Sequence, residues 1–276
     1  MKIVFLDADG TLFHHSGYIP SSALDACNHA QKNGHKICLC TGRQKVEIFG
    51  DLTKIDYDGI IAGSGASIFV HGKQIVEKTF DEFEFNTVYN FLNDHQIPAL
   101  YESSVGIFAT QKTKDRLKEL LEIQCGHLDD EQRKMHGLYT LYHQVHVVND
   151  LHEHPINKIS FLESKMPYQK VYEDLSPVLD VIPATFAPLG KESGEISSKR
   201  ITKATGMEVL IDYYKMDDKD TIAIGDGHND LCMFEKAAIS VAMGNASIQV
   251  KEKADLITTS ITDNGIYNAF KDLALI

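Results

Sequence analysis

The sequence predicts an α/β protein, with a doubly wound parallel sheet interrupted by an inserted α+β segment, and three observations carry that expectation. Short apolar runs at residues 3–6, 36–40, 59–62, 221–224 and 239–242 have the length and composition of buried strands. Helical stretches lie between them, among them Ser21 to Asn33, the segment beginning at Lys203, and Leu231 to Lys236; strands alternating with helices are the pattern of a parallel, Rossmann-like sheet. From about residue 82 to residue 185 the pattern changes to short strands mixed with helices.

The first strand runs straight into Asp7-Ala-Asp9-Gly10-Thr11. A strand alternates its faces, but that constraint relaxes once the chain leaves the sheet after Asp7, and Gly10 permits a sharp turn. Asp7 and Asp9 can then converge at the carboxyl edge of the sheet, where open α/β folds bind ligands. Two carboxylates held together favour a bound cation or a shared proton. Such a pair suits a magnesium-dependent phosphoryl-transfer centre with one carboxylate as nucleophile and the other as acid/base. The same Asp-Ala-Asp-Gly also suits a plain turn after a buried strand. The next helix starts at Ser21-Ser22, a structural cap.

The second strand ends in Thr41-Gly42-Arg43, which offers a hydroxyl, backbone amides and a guanidinium to a phosphate. Arg43 fits either a substrate phosphate or a structural ion pair. Near the C-terminus another apolar run, Thr221 to Gly225, ends in Asp226-Gly-His-Asn229-Asp230, and Lys203 sits at or near a helix start.

The middle of the chain holds a helical pattern from Phe83 to Asn93 and strand-like runs at 106–110, 145–148 and 158–162. A helix from Pro167 to Leu175 and a strand over 181–185 follow. These features predict a core domain of residues 1–81 and 187–276, an inserted domain of residues 82–186, and linkers near 77–85 and 183–194.

Asp7-x-Asp9-Gly-Thr, Thr41-Gly-Arg, Lys203 and Gly225-Asp226-x-x-Asn229-Asp230 together resemble the four ordered motifs of haloacid dehalogenase superfamily phosphatases. The resemblance is to the Cof-type group in particular, whose pattern includes the Ala-Met-Gly-Asn-Ala run at 242–246, and it covers roughly residues 1–80 and 186–276. In that pattern a Glu-Ile pair precedes the lysine by eight positions; Glu195-Ile196 selects Lys203 and leaves Lys199 as a solvated surface charge. Similar proteins carry Asn where this chain has Ser64, and Ser64 is given no role.

The resemblance implies a division of labour. Asp7 attacks phosphorus and forms an aspartyl-phosphate. Asp9 protonates the leaving alkoxide and then deprotonates water; members that cleave carbon–halogen bonds lack this second aspartate, so its presence argues for phosphate esters. Magnesium is held by Asp7, the Asp9 carbonyl and Asp226, with Asn229 and Asp230 orienting those ligands. Lys203 and Thr41 meet the charged phosphoryl oxygens, and Gly10, Gly42 and Arg43 contact the substrate phosphate. The insert corresponds to a cap that excludes water and selects the substrate.

Composition narrows the partners. The 276 residues suffice for one large domain or two ordinary ones. A formal net charge of −12 argues against nucleic acid, which demands a basic face. No apolar run has the length of a membrane span, and the chain reaches Asp7 too soon for a signal peptide, so a cytoplasmic location is expected. Five cysteines do not suggest a disulfide framework, and Cys38 and Cys40 read as packing residues. His143, His146, His152 and His154 lack the spacing that would argue for a second metal.

The expected function is therefore magnesium-dependent hydrolysis of a small phosphate monoester: a sugar phosphate, pyridoxal phosphate or a nucleotide. The alternatives are a phosphomutase, which returns the phosphoryl group to a second hydroxyl, and a receiver-like signalling module phosphorylated on Asp7. A receiver is smaller and needs no closing insert.

Overall fold

A computed structural model of the chain describes every residue except Thr185, the last residue of the run expected as a strand over 181–185. The chain divides into two compact units, Met1–Lys78 with Arg200–Ile276, and Thr79–Lys199. The first unit contains β1 (Ile3–Leu6), β2 (Lys36–Cys40), β3 (Gly59–Ala62), β4 (Ser67–Val70) and β5 (Lys73–Glu77). The second contains β6 (Ala99–Ser103), β7 (Gly106–Ala109), β8 (Val145–Val147), β9 (Lys158–Phe161), β10 (Leu179–Pro183) and β11 (Gly194–Ser198). The chain then returns to the first unit with β12 (Thr221–Gly225), β13 (Ile239–Ala242) and β14 (Leu256–Ile257). No helix among the described residues is long and apolar enough to cross a membrane.

The sheet of the first unit has the order β14-β13-β12-β1-β2-β3-β4-β5. It is parallel as far as β3, as expected of the five strands read from the sequence, and β4 and β5 then add an antiparallel edge. His71 and Gly72 join β4 to β5 with φ of 47° and 75°, the left-handed conformations that a two-residue hairpin loop needs to match strand twist.

The winding on both faces follows from alternation along β1. Val4 and Leu6 pack with Ala23, Ala26 and Ala30 of the helix Ser21–Lys32 and with Phe270. Ile3 and Phe5 point the other way and pack with Met207, Leu210 and Phe234. Each such buried side chain contributes about 1.5–3 kcal/mol, which is why the strand reads as uninterrupted apolar sequence. Register then fixes the site: Leu6 lies opposite Ile224 of β12 and Leu39 of β2. Asp7, Thr41 and Asp226 therefore leave neighbouring strands at the same carboxyl edge.

The sheet of the inserted unit has the order β10-β11-β9-β6-β7-β8 and is antiparallel except where β7 meets β8. Tyr101, Ile159 and Val181 pack on one face with Phe85 and Val88 of the helix Glu82–Asp94, and Leu100, Ile107 and Ala109 pack on the other with Leu117 and Leu121 of the helix Gln111–Cys125. The insert is longer at its C-terminal end than expected. Ile196 of β11 lies opposite Val181 of β10 and Ile159 of β9, so residues 187–199 belong with the insert and not with the core, and the first break falls at 78/79. Lys199 is exposed, as expected of a surface charge, and its Nζ donates to Ser176 O at 2.6 Å and Pro177 O at 3.3 Å, tying down the chain just past the helix Tyr168–Leu175.

Candidate active site

At the carboxyl edge of β12, β1 and β2 the interior polar groups gather around one amine. Lys203 opens the helix Lys203–Tyr214, is 1% exposed, and donates from Nζ to Asp7 Oδ1 and Asp230 Oδ1, both at 2.6 Å. Its place depends on a close approach at Gly65, whose φ is +109° and where an added Cβ would stand 2.1 Å from Thr202 O, at the N-cap of that helix. Burial works against the ammonium, but the charges of Asp230 and Asp7 outweigh it and hold Lys203 well above the usual lysine range.

Asp7 carries the opposite burden. Burial is the largest influence and the charge of Asp230 adds to it, so that despite Lys203 the carboxyl is pushed up to about 8. Lys203 engages Oδ1, and among the described residues nothing donates to Oδ2. Asp226 is also raised, by burial first, with a hydrogen bond from Thr11 working in the other direction. The carboxylates of Asp7, Asp226 and Asp230 each present an oxygen within 4.8 Å of the others.

Asp230 differs from the other two because its carboxylate also accepts from backbone amides. Oδ1 accepts from Lys203, and Oδ2 accepts from the amides of Asp226 and Gly227 at 3.0 and 2.9 Å. It fixes the loop that presents Asp226. Asn229, expected to share that duty, is exposed, and its side chain makes no hydrogen bond among the described residues.

Two residues that sequence reasoning passed over take part instead. Thr11 Oγ1 donates to Asp226 Oδ1 at 2.8 Å. Asn245, from the 242–246 run, donates from Nδ2 to Gly10 O at 2.8 Å and to Asp226 Oδ2 at 3.2 Å, while its Oδ1 accepts from the Ile261 amide at 3.0 Å. The available signals were the Gly-Thr that follows Asp9 and the Asn of Met-Gly-Asn-Ala, polar residues just beyond strand ends.

Gly10 is required at its position. Its φ is +86°, and an added Cβ would stand 2.3 Å from Asp226 Oδ2. Its amide donates to Phe13 O at 2.9 Å, so it serves the turn and leaves no donor for the phosphate contact expected of it. Thr41 is 1% exposed and accepts the Arg43 amide on Oγ1 at 3.1 Å, and its hydroxyl proton has no acceptor among the described residues. Gly42 follows directly, with Ser64 Oγ 3.4 Å from where its Cβ would be. Arg43 resolves toward the ion pair: Nε and Nη2 meet Asp9 Oδ2 and Oδ1 at 2.9 and 2.6 Å.

The sequence profile of the haloacid dehalogenase-like hydrolases matches residues 4–270, nearly the whole chain. The chain belongs to that family. Within it the relatives include named phosphatases: the putative phosphatase YkrA of Bacillus subtilis is 25% identical over 100% of this chain and 98% of its own length. The phosphatase YwtE of the same organism, named for 5-amino-6-(5-phospho-D-ribitylamino)uracil, is 26% identical, with 96% of each chain covered. Among solved structures, the phosphatase BT1666 of Bacteroides thetaiotaomicron superposes with a TM-score of 0.81 at 26% identity, covering 100% of this chain and 96% of that one. The subclass IIB sugar phosphatase BT4131 gives 0.78 at 26% identity with both chains fully covered. This haloacid dehalogenase-like hydrolase is thus a phosphatase of the Cof-type branch, and the receiver-like alternative falls away.

Proposed function

We propose that this phosphatase hydrolyses a small sugar-type phosphate monoester with magnesium through an aspartyl-phosphate on Asp7. The observation that carries the proposal is the buried Lys203 amine shared by Asp7 and Asp230, with Asp226 alongside and Asp9 two residues on.

The residues fit a divalent cation of the magnesium type. The donors are oxygens only, as magnesium prefers. Three carboxylates face a single ammonium, and the charge of Asp230 adds to burial in raising both Asp7 and Asp226. Asp7, Asp226 and the Asp9 carbonyl oxygen, which accepts no backbone hydrogen bond among the described residues, would hold it. When bound, magnesium neutralises and orients phosphoryl oxygens.

The chain's own groups supply the rest. Asp7 attacks through a carboxylate oxygen, splitting one displacement into two. Asp9 gives a proton to the leaving alcohol and takes one from the water that cleaves the aspartyl-phosphate. Lys203 keeps Asp7 aimed and offsets the charge that collects on phosphorus oxygens, and Thr41 offers its unengaged hydroxyl proton to one of them. The inserted unit is assigned the cap's duty of selecting the alcohol and excluding water. The substrate class rests on the relatives, since BT4131 is named a sugar phosphatase and YwtE is named for a phosphoribityl compound.

The test is phosphate release from p-nitrophenyl phosphate and a panel of sugar phosphates, with magnesium or EDTA, for wild type and Asp7→Asn. Turnover that needs both magnesium and Asp7, with sugar phosphates ranking first, supports the reading. Turnover that persists in EDTA or in Asp7→Asn overturns it.

A further inference from the structure

From the geometry around Asp9 we infer that Arg43 is a positioning residue for the acid/base, holding the Asp9 carboxylate by a two-point guanidinium clamp; the inference rests on the acid/base reading of Asp9 given above. Asp9 leaves the end of the first strand on a turn, and its side chain is 47% exposed. A half-exposed aspartate on a turn samples several rotamers, and a proton donor must be held to a narrow geometry to be effective. Among the described residues only Arg43 bonds to that carboxylate, through Nε to Oδ2 at 2.9 Å and Nη2 to Oδ1 at 2.6 Å.

Arg43 is held from every side. Its amide donates to Thr41 Oγ1 at 3.1 Å, and its carbonyl accepts from the Gly63 amide at 2.8 Å. Nη1 reaches Glu47 O at 3.3 Å. The guanidinium lies over the Phe13 ring, 5.0 Å from its centroid. Phe13 belongs to the same turn as Asp9: its amide donates to Ala8 O at 2.7 Å and its carbonyl accepts from Gly10. The guanidinium thus grips that turn by a ring face and a carboxylate together. A planar fork with fixed donors can do this, and a lysine cannot.

This role is separable from phosphate binding. A residue that binds the phosphate acts on every ester alike, whereas one that aims a proton donor matters, in the transfer of phosphorus to Asp7, only where the leaving group needs a proton; the later attack of water calls on Asp9 as base for every ester alike. The experiment measures KM and kcat/KM, which reports the steps up to release of the alcohol, on 2,4-dinitrophenyl phosphate, whose leaving group needs no proton, and on an alkyl phosphate, whose leaving group does, for Arg43→Gln, Arg43→Lys, Asp9→Asn and the Asp9→Asn/Arg43→Gln double variant. Thermal melts establish that each variant is folded. The expected result is that Arg43→Gln lowers kcat/KM on the alkyl ester about 10- to 100-fold, the range of a misplaced catalytic group, while changing kcat/KM on the dinitrophenyl ester by less than about threefold. Arg43→Lys, which keeps the charge and the fold but loses the fork, falls between, and the double variant is no slower than Asp9→Asn alone, because effects through one group do not add.

Equal slowing of both esters with a raised KM, and losses that add in the double variant, would make Arg43 a phosphate ligand and overturn the inference. If Asp9→Asn itself lowers kcat/KM on both esters equally, the leaving-group-acid reading of Asp9 falls and the inference falls with it, which separates the two failures.

Discussion

Lys203 and Asp7 lie 196 positions apart in the chain and meet at 2.6 Å in the interior of the first unit. The amine is shared with Asp230 at the same distance, so one cation serves two buried anions. Removing one partner of such a group strands the other charges. Lys203→Ala should lower stability by about 3–5 kcal/mol and reduce turnover by at least about 100-fold. Chemical denaturation and steady-state kinetics on the same preparation check both; an unchanged denaturation midpoint would deny the amine its structural share.

Asp7 should make the metal-free protein sensitive to pH. Its carboxyl is raised in the fold from 3.8 to about 8, so over that window the folded state binds more protons than the unfolded state. Stability from this group is full at low pH and is lost as pH rises from about 4 through about 8. In EDTA the thermal midpoint of wild type should fall across that window more steeply than that of Asp7→Asn, whose amide can still accept from Lys203 without carrying a charge. Parallel slopes for the two proteins would contradict the assignment.

Asn245 should act on metal affinity. Its amide joins the Gly10 carbonyl to the Asp226 carboxylate, and groups that orient a ligand typically change metal affinity about 10- to 100-fold when removed. Asn245→Ala should weaken binding of manganese, used as a magnetic stand-in for magnesium and followed by electron paramagnetic resonance, by an amount in that range. Unchanged binding would reduce Asn245 to loop packing.

Gly10→Ala should be damaging in two ways. A left-handed φ of +86° costs a non-glycine residue about 1–2 kcal/mol, and the methyl would press on Asp226 Oδ2. The unfolding midpoint should drop and turnover should fall with it. A nearby comparison is Gly42→Ala, where the added carbon meets only Ser64 Oγ at 3.4 Å, so its stability should change far less.

Most of the core could be read from the sequence because its strands are buried on both faces and therefore uniformly apolar, as Ile3–Leu6 and Thr221–Gly225 are. The same signal failed at β11, Gly-Glu-Ile-Ser-Ser, where Ile196 is the single large apolar residue and the strand is recognised by what it pairs with. It failed again at β5, an edge strand with an exposed face, and β4, though buried throughout, was passed over with it. Asp7 and Asp226 were legible because charges at the ends of apolar runs have few structural explanations, whereas Lys203 was singled out by the family resemblance, through the Glu195-Ile196 pair eight positions before it. Thr11 and Asn245 were not, since their importance lies in which carboxylate oxygen they reach. A motif position does not say where a side chain points, or whether an amide is already engaged: Asn229 is exposed, and the Gly10 amide donates to Phe13 O.

The central claim is that phosphorus becomes covalently attached to Asp7. Enzyme quenched during turnover of an ester and reduced with borohydride converts an aspartyl-phosphate to homoserine, which peptide mass spectrometry locates. The account predicts homoserine at position 7 in wild type only when ester and magnesium are both present, and at no position in Asp7→Asn. Homoserine at position 9, or none at any position while phosphate is still being released, would contradict it.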